Sequence, residues 1–198
     1  MSSESSQTLQ DRWNPFVLAL PGERAPAPRP ISKIEGIGDR LRAAAFAEVQ
    51  ARDAFIWAAE RFLDAPLELR QAWKSLATEE NKHLGWLMAR MQELGIDPGA
   101  RPVSDYLWRS FEKCTSAKEF ALFMASAEDR GRQAGERFFQ EISKTDPITG
   151  KIFGTIAEEE KSHIALAESF YGTEWRDRES RSALESLGSR TSKSTSTP

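Results

Sequence analysis

The chain has 198 residues, a formal net charge of −3 and a single cysteine, Cys114. This length suits one domain with tails and is short for two full domains. The charge gives no general attraction to nucleic acid or to an anionic membrane, and a lone cysteine excludes an internal disulfide and a CxxC pair. The start "MSSESSQTLQDR" has no basic region followed by an apolar core, and no apolar run approaches about 18 residues. We therefore expect a cytoplasmic protein with no membrane partner.

Residues 1–36 are predicted to form an N-terminal arm. The segment is polar at its start and then rich in proline, as in "APAPRP". Proline fixes φ and lacks a backbone donor, so the first 31 residues favour an extended arm over a helix or a strand. The apolar stretch "WNPFVLAL" supplies side chains that can hold this arm against the domain.

Residues 37–172 are predicted to form an all-α four-helix bundle. Good helix formers dominate the segment, and turn residues divide it into long helices at about 37–62, 66–94, 116–143 and 146–170. A short helical piece is expected around 105–113. The link of about twenty residues between the second and third helices favours a crossover that joins two helix hairpins. Residues 173–198 are predicted to be a short helix, at about 174–187, and a disordered tail.

The helix starts carry capping signals. Ser116 with Glu119 three residues later forms a capping-box pattern before the third long helix. Asp146 followed by Pro147 forms a cap with a first-turn proline before the fourth.

Both histidines of the chain follow a glutamate at the same spacing. Glu80 precedes His83 by three residues in "LATEENKHLGW", and Glu160 precedes His163 by three residues in "IAEEEKSHIAL". Residues three apart share a helix face, so each pair can hold one metal ion. Apolar residues occupy the same faces, which predicts that both pairs point into the bundle.

The two motifs belong to an internal repeat. The second motif follows the first by 80 residues, and a further glutamate, Glu48 or Glu128, lies 32 residues before Glu80 or Glu160. These single glutamates also share their helix faces with small or apolar residues. The repeat therefore predicts that six metal ligands converge in the bundle interior: Glu48, Glu80, His83, Glu128, Glu160 and His163.

Buried carboxylates explain why such a site needs metal. Four glutamates buried without counter-charge would each cost roughly several kcal/mol, whereas two divalent cations balance four negative charges. Oxygen-rich surroundings with one imidazole per metal suit iron or manganese better than structural zinc. We expect two iron ions, with manganese or a mixed iron and manganese pair as alternatives. The predicted arrangement has Glu48 and His83 on one ion, Glu128 and His163 on the other, and Glu80 and Glu160 as bridges.

The charged residues next to the predicted ligands are expected to lie outside the cluster. Glu79, Glu158 and Glu159 are expected to face solvent or adjacent helices, with Glu79 a bystander; contact between one of them and a ligand is the open alternative. Arg52 and Arg132 lie one turn beyond Glu48 and Glu128. Ion pairs that orient ligands and plain surface positions are both open for these arginines.

Two glycines in the third long helix, Gly131 and Gly135, are unfavourable there by up to about 1 kcal/mol each relative to alanine. They indicate either close helix packing or room for a substrate beside Glu128.

The motif set E, ExxH, E and ExxH resembles the ferritin-like di-iron carboxylate superfamily over about residues 41–171. A nearer likeness is to a bacterial ferritin-like family of unknown function near the tRNA-modifying hydroxylase branch. That likeness rests on "APAPRP", "AEVQARDA", "ATEENKHLGWL", "LWRSFEKC" and "AEDRG". The resemblance implies a ferritin-like bundle and a di-iron centre. Those sequences often carry a histidine shortly before the first glutamate, where this chain has "AAAFAE" and so lacks that histidine.

The ligand set and the resemblance predict an oxidoreductase or hydroxylase that activates dioxygen or peroxide. Its small-molecule substrate is unknown, its electron donor is a separate protein, and no catalytic residue beyond the metal ligands is predicted. A homodimer is among the oligomeric states left open.

Three alternative functions are weighed beside this prediction. The first is a ferroxidase or an iron- or peroxide-handling protein of the bacterioferritin or rubrerythrin kind, although one cysteine cannot form a rubredoxin site. The second is a tRNA-modifying hydroxylase. It finds no support in an acidic chain without an evident basic stripe, so no nucleic-acid partner is expected. The third is a metal-free interaction module, against which the six ligands argue.

Overall fold

The regular structure of the chain is helical. A computed structural model describes residues 6–20, 23–173 and 175–176. Within them, six helices follow in chain order: α1 (Ser6–Arg12), α2 (Ile34–Arg61), α3 (Leu67–Glu93), α4 (Tyr106–Phe111), α5 (Ala117–Ile142) and α6 (Pro147–Tyr171). The predicted all-α class is confirmed, and the four long helices begin and end within three residues of their predicted bounds.

The four long helices pack as two antiparallel hairpins, α2 with α3 and α5 with α6. Arg42, near the start of α2, donates hydrogen bonds of 3.0 and 2.8 Å to backbone oxygens of the loop after α3. Phe138, near the end of α5, packs edge-on against Phe153 of α6 with ring centroids 4.7 Å apart. Phe55 in the second half of α2 meets Phe120 near the start of α5 at 6.2 Å. The link between the hairpins therefore runs the length of the bundle, which confirms the predicted crossover.

Side-chain caps define where α5 and α6 begin. The Ser116 hydroxyl accepts a hydrogen bond from the Glu119 backbone N–H at 3.3 Å, and the Asp146 carboxylate accepts one from the Thr149 N–H at 3.0 Å. The Glu119 carboxylate accepts from the Thr115 N–H at 2.7 Å. The caps at Ser116 and Asp146 each pair a backbone donor that the first helical turn leaves unpaired.

The N-terminal arm differs from the prediction, because Ser6–Arg12 form a helix and not an extended chain. Leu9 and Trp13 are buried, and the Trp13 ring packs edge-on against Phe46 with centroids 5.3 Å apart. The Trp13 indole N–H donates to Asp53 of α2 at 2.8 Å. An isolated helix of this length is unstable in water, so packing against α2 stabilises α1.

A buried carboxylate ties the arm to the bundle. Asp39 at the start of α2 accepts hydrogen bonds from Arg29 of the arm, from Arg42 of α2 and from Arg101 of the crossover. The hydrogen bond from Arg29 holds the pKa of Asp39 well below its usual range, against the opposing effect of burial. Asp39 therefore joins the arm, the start of α2 and the crossover.

No helix among the described residues has both the length and the apolar character needed to cross a membrane. The predicted short helix at 174–187 and the predicted tail lie outside the described residues, apart from residues 175–176.

Candidate metal centre

All four long helices deliver acidic or imidazole side chains to the bundle interior. α2 and α5 supply one glutamate each, and α3 and α6 supply one glutamate and one histidine each: Glu48, Glu128, Glu80, His83, Glu160 and His163. Glu128 is partly exposed, and the others are buried. The structure therefore brings all the predicted ligand side chains together.

The potential ligand atoms form two groups that share two glutamates. In each group, one carboxylate oxygen or imidazole nitrogen per residue lies within 4.8 Å of the others. One group consists of Glu48, Glu80, His83 and Glu160, and the other of Glu80, Glu128, Glu160 and His163. Glu80 and Glu160 lie between the two groups, and their role as bridging ligands stays a prediction.

Both imidazole Nδ1 atoms lie among the carboxylates without forming hydrogen bonds. His83 Nδ1 is 3.6 Å from a Glu48 oxygen and 3.5 Å from oxygens of Glu80 and Glu160. His163 Nδ1 is 3.0 Å from Glu80 and 3.2 Å from Glu160. These Nδ1 atoms, both oxygens of Glu80 and one of Glu160 are buried without a hydrogen-bond partner. Because buried polar atoms are normally paired, such an array fits the ligands of a cation.

The opposite nitrogens of the two histidines meet glutamates outside the cluster. Glu159 of α6 lies 2.7 Å from His83 Nε2, and Glu79 of α3 lies 3.2 Å from His163 Nε2. A carboxylate at Nε2 holds a proton there, so Nδ1 is the nitrogen that can face a metal ion. Without an ion, contacts with and charges of the surrounding carboxylates raise the pKa of both imidazoles against the opposing effect of burial, that of His163 to about 12. The prediction that Glu79 is a bystander is wrong. The repeat carried the signal, because Glu79 and Glu159 are 80 residues apart, as the histidines are.

The two arginines beside the ligand turns pair with other residues. Arg52 contacts Asp53 at 2.8 Å, and Arg132 contacts Asp129 at 2.8 Å. Of the alternatives open from sequence, the structure shows ion pairs with neighbouring aspartates on the same helices, and not with the cluster glutamates.

Burial raises the pKa of all four cluster glutamates. Desolvation is the largest cause for Glu48 and Glu128, whose pKa values lie well above the usual range, and the charges of Glu80 and Glu160 add to it. The pKa values of Glu80 and Glu160 are raised by burial and by repulsion from neighbouring carboxylates. Four ionised carboxylates in this volume need counter-charge, which protons or metal ions can supply.

A cavity of about 580 Å³ opens beside the cluster, between α2 and α5, and is called here the cluster cavity. Glu48, Glu128 and Glu160 line it, and its walls include Ala43, Ala44, Ala47, Ala51, Ala127, Gly131, Ala134 and Gly135. A Cβ added at Gly131 would meet nothing within 4 Å, whereas one added at Gly135 would lie 3.7 Å from Ala157. Gly131 therefore faces open space near Glu128, and Gly135 makes an ordinary packing contact.

Comparison with known proteins identifies the family. Residues 4–187 match the model of a family described as protein of unknown function, DUF455. The chain belongs to this family. None of the curated proteins matches this DUF455 chain.

The DUF455 chain is similar in fold to a bacterial thioferritin. That protein is the bacterioferritin-related protein from Bacteroides fragilis, described as dodecameric. The match has a TM-score of 0.57 and 17% sequence identity, and it covers 77% of this chain and 91% of the other. At this identity the likeness concerns the fold alone, and it confirms the ferritin-like bundle. The nearness to the tRNA-modifying hydroxylase branch stays a prediction.

Proposed function

We propose that the cluster holds two iron ions and that the protein uses them to react with dioxygen or peroxide. The observation that carries the proposal is the convergence of four carboxylates and two imidazole Nδ1 atoms in two groups that share Glu80 and Glu160. Several of these atoms are buried without a hydrogen-bond partner. Carboxylate oxygens with one imidazole per ion suit iron or manganese. Such a pair of ions supplies redox chemistry and open coordination positions for oxygen.

The side chains of the protein have defined tasks in this proposal. Glu48 with His83 and Glu128 with His163 would hold one ion each, and Glu80 and Glu160 would be shared between the two ions. Glu79 and Glu159 accept the Nε2–H hydrogen bonds that orient the imidazole rings.

The likeness in fold favours iron or peroxide handling as the use of the centre. The similar structure is that of a thioferritin, which lies closer to a ferroxidase or a peroxide-handling protein than to a hydroxylase. In this proposal ferrous iron is the substrate, or peroxide is the oxidant that the centre consumes.

The cluster cavity favours a second candidate, the oxidation of a small organic molecule. Its volume of about 580 Å³ lies in the range of small-molecule pockets, and Glu48, Glu128 and Glu160 line it. A molecule in this cavity would lie beside the metal ions. A separate electron donor would be needed.

Metal loading tests the centre itself. Anaerobic titration of metal-free protein with ferrous iron should give about two ions per chain, because two ligand groups are present. Glu80→Ala should abolish this loading, whereas Glu158→Ala, at an exposed position on α6, should load as the wild type does. Full loading of Glu80→Ala would rule out the proposed site.

The reaction of the ferrous protein with dioxygen distinguishes iron handling from the oxidation of an organic molecule. Repeated oxidation of added ferrous iron into a mineral would support iron handling. A single turnover that leaves a stable oxidised centre, reduced again only by an added donor, would support the oxidation of an organic substrate.

A further inference from the structure

A second cavity, of about 360 Å³, extends the cluster cavity toward Asp39 and the arginines around it. Asp39, Arg42 and Arg101 are among its lining residues. The two cavities share Pro28, Arg40, Ala43, Ala47, Tyr106 and Leu107. They form one groove along α2, from the arm to the cluster.

Arg40 lies where the two cavities join. Its Nη1 atom donates to the backbone oxygens of Arg29 and Gly36 at 2.7 and 2.9 Å, and its guanidinium lies over the Phe138 ring at 5.5 Å. Among the described residues, no carboxylate pairs with this guanidinium. Backbone oxygens and an aromatic ring therefore hold Arg40 in place, while Nε and Nη2 have no hydrogen-bond partner in the described part of the chain. Arginine in this state is suited to a carboxylate or a phosphate.

The groove is charged at its Arg40 end and apolar between Arg40 and Glu48. Arg29, Arg42 and Arg101 surround Asp39, and the carboxylates of Glu35 and Asp97 act on Arg29 and Arg42. With Arg40, four arginines thus lie among three carboxylates, which leaves a small excess of positive charge at the Arg40 end. Between Arg40 and Glu48, the exposed methyl groups of Ala43 and Ala47 form an apolar strip one helix turn apart.

We propose that this groove binds an organic anion with an apolar body. Its carboxylate or phosphate pairs with Arg40, and its body lies along Ala43 and Ala47 toward Glu48. The rise of α2 separates the Cα atoms of Arg40 and Glu48 by about 12 Å. Because the Arg40 guanidinium reaches back to the Gly36 oxygen, a ligand somewhat longer than this spans from the guanidinium to the cluster. Binding of the anion depends on the groove alone, and only its role as a substrate rests on the proposed metal centre.

Calorimetric titration of the full chain with decanoate, decyl phosphate and decanol tests the proposal. Both anions should bind more tightly than decanol, and the preferred head group distinguishes a carboxylate ligand from a phosphate ligand. Arg40→Gln should weaken binding of the preferred anion by about tenfold or more and leave decanol unchanged, because only the charge-assisted pair is lost. Arg40→Lys should retain part of the preference for the anions over decanol, because it keeps the positive charge. Ala43→Phe, which fills the groove, should weaken the binding of all three probes.

The matched control is Arg137→Gln, at an exposed arginine of α5 outside the lining of either cavity, which should bind every probe as the wild type does. If Arg40→Gln loosened the arm, the binding of decanol would weaken as well. An unchanged affinity for decanol would therefore show that the variant loses only the charge of Arg40. Equal anion affinity in the wild type and Arg40→Gln, or no binding of any probe, would overturn the proposal. A groove covered by a second copy would overturn it too: sedimentation would show a dimer that Ala43→Phe disrupts, and no probe would bind.

The titrations are repeated with and without metal so that the two proposals fail separately. Anion binding in a protein that loads no metal would leave the groove standing and remove the metal centre. Loading of about two ions without anion binding would do the reverse.

Discussion

Glu79 and Glu159 each bond the histidine that the other hairpin contributes to the cluster. Glu159 lies 2.7 Å from His83 Nε2, and Glu79 lies 3.2 Å from His163 Nε2. Lys82 pairs with the same Glu159 oxygen at 2.7 Å. The carboxylates thus join the two hairpins and orient the imidazole rings, which are tasks that a residue outside the ligand set can perform.

Replacing these glutamates should weaken metal binding without removing a ligand. Glu159→Ala and Glu79→Ala should each lower the affinity for ferrous iron by about tenfold to a hundredfold, because the imidazole loses its orienting acceptor. Competition with a chelator of known affinity measures the change. Glu158→Ala removes an exposed carboxylate next to Glu159 and serves as the control. Equal affinities in Glu158→Ala and Glu159→Ala would show that the contact with His83 does not support the ligand.

The start of α6 shows how one side chain can define a helix end and join two helices. Asp146 accepts from the Thr149 N–H at 3.0 Å as an N-cap, and it accepts from Arg90 of α3 at 2.9 and 3.0 Å. Arg90 is buried and also pairs with Glu93 at 2.7 Å, so loss of Asp146 removes one of its two carboxylate partners. The cap and the ion pair therefore make separable contributions to stability.

Two substitutions separate those contributions. Asp146→Ala should lower the free energy of unfolding by about 2 kcal/mol, because the helix cap and one of the two carboxylate partners of Arg90 are both lost. Asp146→Asn keeps a cap acceptor and should cost less. Ser116→Ala, which removes only a cap from α5, should cost about 1 kcal/mol. Urea unfolding measures all three, and equal losses in Asp146→Ala and Ser116→Ala would show that the pair with Arg90 adds nothing.

The separation of α2 from α5 is the feature of element packing that matters most for the site. Each hairpin is closely packed internally, whereas α2 and α5 make few contacts with each other. Ala43 and Ala47 of α2 and Gly131 of α5 face the resulting space and are exposed. Larger side chains at these positions would fill the route to the cluster.

At the scale of the whole molecule, the cluster should couple folding to metal binding. Ions that bind only the folded state stabilise it, by about 2.7 kcal/mol at a free concentration one hundred times the dissociation constant. Without metal, the buried carboxylates destabilise the same fold through desolvation and mutual repulsion. The free energy of unfolding should therefore rise when metal binds, and removal of one ligand carboxylate should reduce that rise.

Glu80→Gln should be at least as stable as the wild type without metal and less stable than the wild type with metal. In metal-free protein the variant should be at least as stable as the wild type, because one buried acid is replaced by a neutral amide. With ferrous iron in excess and oxygen excluded, the wild type should gain stability and the variant should gain little. Urea midpoints with and without metal measure both effects. An equal gain on metal addition in the two proteins would contradict a ligand role for Glu80.

The sequence alone determined the four long helices, the caps at Ser116 and Asp146, and the set of side chains that converge in the bundle. These features follow from local rules: helix propensity, capping chemistry, and a repeat that places equivalent residues on equivalent faces. The ligand function of that set and the metal it holds stay predictions until loading is measured.

Only the tertiary structure decided the rest. α1 forms because Leu9 and Trp13 find a surface to pack against, which no local pattern of a seven-residue segment can show. The repeat makes Glu79 and Glu159 equivalent, but only the distance between α3 and α6 shows that each lies at the histidine of the other hairpin. The groove likewise depends on how far α2 lies from α5, a distance set by the packing of all four helices and not by the residues that line it.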